Sequence, residues 1–265
     1  MTPDVLRDGR STTSSGTARD GRSATSSGTI SSGAVPSPNI WDNPAVYEIE
    51  NRAVDPDGLI EQAMLSVASW DGRDVLDLGC GTGFHLPRWA ASASTVVGVD
   101  PHRAMVSIAR RRCSALSNVT VLQGSATELP LPDSSVDVVQ VRWAYFFGPG
   151  CEPGLAELDR VVRRGGTAFV IDNDATQSTF GAWFRRGYPE VDPVAVERFW
   201  SARGWQRHPV TTRWAFTSRA DFESVVRIEL DGRTATAVIA ETASDPDGGT
   251  DVDYAVNVWS KDYPS

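Results

Sequence analysis

The chain has 265 residues, with 34 acidic against 25 basic side chains and a formal net charge of −9. A surplus of that sign excludes a phosphate-backbone partner, which needs a basic face, so no nucleic acid is expected. Three scattered cysteines and three histidines exclude a disulfide framework and a zinc site and point to a cytoplasmic protein, and no run is long and apolar enough for a membrane span or a secretory signal.

Residues 1–38 are mostly Ser, Thr, Gly, Asp and Arg, and the run from Arg7 to Thr17 recurs almost letter for letter from Arg19 to Thr29. Such a stretch has little to bury and predicts a disordered tail ahead of one folded domain over 39–265. From Ile40 the composition turns aromatic and apolar, with Trp41, Tyr47, Leu59, Ala63, Met64 and Val67, and predicts two short helices. Strands and helices then alternate: a strand over 74–78, a helix over 84–91, a strand over 95–100, a helix over 104–116, and strands over 120–124 and 136–142. A helix over 154–164 is expected to stop at Gly165-Gly166, before a strand over 167–172. This alternation predicts an α/β fold, a parallel sheet with helices on both faces. The aromatics between Ser178 and Trp205 predict two more helices over the carboxyl edge of the sheet, with Trp183, Phe184 and Trp200 as a roof. A strand carrying Trp214, a short helix over 221–226 and a last strand over 252–259 complete the chain.

The run Val75-Leu76-Asp77-Leu78-Gly79-Cys80-Gly81-Thr82-Gly83 carries the strongest signal. Glycines at every second position strip a strand-to-helix turn of side chains, so a ligand can lie against the backbone. The spacing departs from the dinucleotide fingerprint, whose last glycine falls one residue later, which disfavours NAD. Val96-Val97-Gly98-Val99-Asp100 then ends a neighbouring strand in a carboxylate that can accept two hydrogen bonds from a ribose diol.

These blocks, followed by GSATELPLPDSSVDVV and LAELDRVVRRGGTAFVID, resemble the class I S-adenosylmethionine-dependent methyltransferases, particularly their small-molecule branch, from about Val75 to Asp172. The resemblance implies a Rossmann-like, seven-stranded, mostly parallel sheet with the last strand antiparallel, and S-adenosyl-L-methionine as cofactor. It implies that Asp77 orders the methionyl ammonium, a role that competes with capping of the turn, and that Gly79, Gly81 and Gly83 line the same end. Asp100 is implied as the ribose ligand and Pro101 as part of the adenine face, with His102 either stacking there or exposed. Ser125 and Ala126 stand where the family commonly has Asp-Ala on the adenine amino edge. Arg142 borders the methionyl group or makes a surface salt bridge. Where the quinone-type branch often carries a histidine pair, this chain has Phe146 and Phe147, which makes the patch an apolar wall and weakens transfer of a quinone substrate. His85 and Tyr145 are the candidates for a base.

The resulting expectation is transfer of the sulfonium methyl to a small, apolar or aromatic acceptor, with no metal. Alternatives are a non-catalytic S-adenosylmethionine-binding protein and an NAD-dependent oxidoreductase. The acceptor and the oligomeric state are not set by the sequence.

Overall fold

The computed structural model describes residues 37–245 and 247–264; the expected disordered tail lies almost wholly outside them. Three helices, α1 (Pro38–Asp42), α2 (Pro44–Ala53) and α3 (Leu59–Leu65), precede the sheet, one more than predicted. There follow β1 (Asp74–Leu78), α4 (Leu86–Ala90), β2 (Thr95–Asp100), α5 (Arg103–Arg112), β3 (Val119–Gln123), β4 (Val136–Arg142), α6 (Glu152–Val161) and β5 (Val162–Asn173). The remainder runs α7 (Thr179–Gly187), α8 (Pro193–Ser201), β6 (Gln206–Ala215), α9 (Arg219–Glu229), α10 (Gly232–Glu241) and β7 (Asp251–Asp262).

The seven strands form one sheet in the order β3-β2-β1-β4-β5-β7-β6, with β7 antiparallel to both neighbours and the other pairings parallel. Successive residues of each central strand enter opposite cores. Val75, Val138 and Phe169 pack on one side of the sheet, whereas Leu76, Val139 and Ala168 pack on the other. Burial on both faces is why these strands read as mostly apolar runs. Crossing over to β4 after β3 places the carboxyl ends of β1 and β4 side by side, at the switch point where open α/β sheets bind ligands.

Several boundaries differ from expectation for local reasons. Helix α4 starts at Leu86 rather than near Phe84, because Gly83 at φ 75° still belongs to the turn and Pro87, without an N–H, fits only the first helical turn. Gly165-Gly166 does not end a helix. Helix α6 stops at Val161, and the pair lies in the irregular start of β5, where the register with β4 shifts between Val136 and Val138. A Cβ on Gly166 would come within 2.7 Å of the Asp137 carbonyl oxygen, so the close approach of two backbones requires glycine there. Helix α10 was not predicted.

Candidate active site

The turn after β1 is held by the amides of Gly79 and Cys80, which both donate to the Val99 carbonyl, at 2.8 and 3.1 Å. Gly79 and Gly81 have φ of 78° and 52°, and a Cβ on either would come within 2.5 Å of Ala144 Cβ or Ile40 Cδ1 respectively. Their backbone therefore forms the floor of a cleft of about 120 Å³ that also touches Asp100, Pro101, Ser125, Ala126 and Arg142. Gly83 sits apart. Its amide donates to the Cys80 carbonyl, and its α-carbon packs on Ala109 and Leu86, closing the turn onto α5.

Asp100 is buried at the end of β2, accepting from the amides of Gly81 (3.0 Å) and His102 (2.8 Å). Each oxygen keeps lone pairs for a further donor. Burial pushes its carboxyl up to about 6, against the pull of those two amides. Asp77 lies in register between Gly98 and Gln140 and accepts from the Gln140 amide at 3.2 Å. Burial again dominates and lifts it to about 6, with Arg142 opposing. Ser125 is buried and shares a hydrogen bond of 3.1 Å with Thr127.

Among the described residues Arg142 makes no surface salt bridge. Its Nη1 lies 3.2 Å from Nε2 of His85 and 3.4 Å from Nδ1, its guanidinium covers the Trp143 ring at 5.2 Å, and its buried Nε has no hydrogen-bond partner among the described residues. Burial first, then the nearby charges of Arg142, Arg88 and Arg112, hold the His85 imidazole well below its usual pKa. The ring is neutral with its lone pair turned to an arginine, a poor base. Tyr145 lines the cleft, and burial pushes its phenol up, so it keeps its proton. His102 is neither exposed nor free, since Trp41 stacks on it at 4.9 Å.

Ser37, Tyr47, Trp143 and Phe147 line both this cleft and a larger adjoining chamber of about 360 Å³. The expected roof is only partly there. Phe184 faces the chamber, but Trp183 packs on Phe222 outside it, and Trp200 is wholly buried on the opposite side of the sheet against Trp205 and Trp259. Phe146 likewise turns into the core, leaving Phe147 as wall. The chamber's carboxyls Glu50 and Glu229 were missed, because a polar residue on an amphipathic helix reads as solvent face. Nothing in the local pattern distinguishes the two.

The family model described as a methyltransferase domain matches residues 75–166, the segment that builds the cleft. The demethylmenaquinone methyltransferase of Staphylococcus aureus is 30% identical over 132 residues, covering 48% of this chain and 55% of that protein. The 2-phytyl-1,4-naphtoquinone methyltransferase of Synechococcus elongatus is 31% identical over 137 residues, covering 49% and 59%. The chain thus spans little more than half the length of these curated relatives. Among solved structures, the YcgJ protein of Bacillus subtilis superposes with a TM-score of 0.56 at 18% identity, over 79% of this chain and 99% of that one, a likeness of fold. Residues 75–166 thus match a methyltransferase domain, and the sheet that holds them has the fold of the class I S-adenosylmethionine-dependent methyltransferases. The cofactor of that family is S-adenosylmethionine.

Proposed function

We propose that residues 39–265 form a single methyltransferase domain that moves the methyl group of S-adenosylmethionine to a small organic acceptor. One observation carries this reading: the cleft floored by the Gly79-Gly81 backbone and ending at Asp100 shares the walls Ser37, Tyr47, Trp143 and Phe147 with a second chamber large enough for a metabolite. The donor set suits the cofactor. Asp100 takes the ribose diol, the Ala126 amide and Ser125 the adenine edge beside Pro101, and Asp77 the methionyl ammonium across the Gly79-Gly81 backbone. The unpartnered Nε of Arg142 suits the methionyl carboxylate. Gly83, which lines neither cavity, shapes the turn.

The bound cofactor supplies an activated methyl group and its own leaving group. The protein's part is alignment, for which near-attack positioning contributes roughly 7 to 11 kcal/mol. Tyr47 and Trp143, lying on the shared wall, orient the acceptor toward the cleft, while Phe147 and Phe184 exclude water. Calorimetry with S-adenosylhomocysteine and NAD, followed by mass spectrometry of acceptor panels, tests the reading. Tight binding of S-adenosylhomocysteine with no binding of NAD is expected, and the reverse would overturn it.

A further inference from the structure

The larger chamber is lined by aromatic rings and by acids. Tyr47, Trp143, Tyr188 and Tyr254 supply rings, and Glu50 on α2 meets Glu229 at the end of α9. Asp172, Asp174 and Glu197 face the same space, and Arg207 is the only cation lining it among the described residues. That arginine is already committed, at 2.8 Å to Asp174 and 3.5 Å to Glu197. Asp172 accepts from the Trp259 indole at 3.2 Å.

Among the described residues no cation pairs with the two glutamates. Asn39 donates to Glu229 at 2.8 Å, and Glu50 is hydrogen-bonded to Glu229, but Glu50 Oε2 is fully buried with no hydrogen-bond partner among the described residues. Burial, and then the charge of Glu229, push the Glu50 carboxyl well up, and burial also raises Glu229. Two acids in that position share a proton when no cation sits between them. Tyr47 joins this pair to the cleft, lining both cavities, with both glutamates and Arg142 close enough to act on its hydroxyl.

We propose that the acceptor is an amine, bound as its ammonium between Glu50 and Glu229 within the rings of Tyr47, Trp143, Tyr188 and Tyr254. Its organic body lies along Phe147 and Phe184. An aromatic acceptor without an N–H or O–H would satisfy the rings and leave a buried carboxyl oxygen unpaired, and a neutral hydroxyl would pair that oxygen without balancing the charge of two buried acids, which is costly. An ammonium satisfies both, because the acids neutralise it and the ring faces attract it. The inference rests on the methyltransferase reading. On transfer, the ammonium gives a proton to the carboxyl pair and the freed nitrogen lone pair forms the new N–C bond. The bond that breaks is methyl carbon to sulfur, its electron pair staying on sulfur, and the pair then passes its proton to solvent.

Binding of benzyltrimethylammonium, which accepts no methyl group, is compared with that of benzyl alcohol by calorimetry on the protein saturated with S-adenosylhomocysteine. The cation is expected to bind at least about tenfold more tightly. Glu50→Gln and Glu229→Gln, near-isosteric and removing a like-charge contact, should each erase most of that preference with S-adenosylhomocysteine affinity unchanged. Either variant suffices if the other fails to fold, and the wild-type ratio stands without both. Equal binding of cation and alcohol, or a preference intact in the folded variants, overturns the amine assignment. So does methyl transfer to a naphthohydroquinone in preference to arylalkylamines. Failure of the wild-type protein to bind S-adenosylhomocysteine overturns the methyltransferase reading instead.

Discussion

Asp100 and Asp77 carry the sharpest residue-scale tests. Replacing Asp100 by alanine removes two charge-assisted hydrogen bonds to a ribose, worth roughly 1.5 to 3 kcal/mol each, so S-adenosylhomocysteine affinity should fall at least about tenfold in calorimetry. Unchanged affinity in a folded Asp100→Ala protein would remove the ribose assignment. The pH dependence follows from burial. Asp77 and Asp100 are lifted to about 6 and Asp172 to about 7, above the roughly 3.9 of an unfolded chain. A carboxyl raised by folding holds its proton more tightly in the native state. Its stabilisation is full below the unfolded value and is lost as pH rises through the folded one. The apo protein is therefore predicted to lose stability from these groups between about pH 4 and 7. Asp77→Asn should melt higher than wild type near pH 7.5, a gain that shrinks toward pH 4, while binding the cofactor less well. A thermal melt that shows no pH-dependent gap between the two proteins would contradict this.

Helices α1, α7 and α8 make the element-scale case. Helix α1 lies across the cofactor cleft: Ile40 covers Gly81, and Trp41 stacks on His102. The cleft of about 120 Å³ is below the roughly 300 Å³ at which small-molecule pockets begin, so α1 is expected to swing aside to admit a nucleoside. The stack is worth roughly 0.5 to 1.5 kcal/mol, and Trp41→Ala should therefore raise the association rate for S-adenosylhomocysteine roughly fivefold in stopped flow. An unaltered rate would mean that α1 does not gate entry. In α7 and α8 the aromatic rings divide by direction. Phe184→Ala should raise the acceptor KM with little loss of stability. Trp200→Ala, in the opposite core beside Trp205 and Trp259, should cost about 3 to 5 kcal/mol of folding free energy and lower every activity together. Chemical denaturation beside steady-state kinetics separates the two.

For the whole molecule, the low apolar content of residues 1–36 predicts that deleting them leaves the melting temperature and cofactor affinity unchanged. A loss of several degrees would show that the repeat docks on the domain. The sheet was legible in the sequence because its strands are largely buried on both faces, so Val75 to Leu78, Thr95 to Asp100 and Val136 to Arg142 stand out as mostly apolar runs between polar helices. The cleft was legible for a related reason. Gly79, Gly81 and Asp100 belong to consecutive elements, and their chemistry is written in local spacing. The chamber was legible only at Phe184, which was expected to face it. Tyr47 and Glu50 on α2, Trp143 after β4 and Glu229 on α9 come from distant segments, and each reads locally as an ordinary helix or loop residue. The sequence by itself determined the sheet, the cofactor turn and its acid, because hydrophobic period and glycine conformation act over neighbouring residues. Only the tertiary structure decided which rings face the chamber, that Arg142 meets His85, and that Glu50 meets Glu229, because packing in three dimensions joins segments whose separation along the chain leaves no periodic trace.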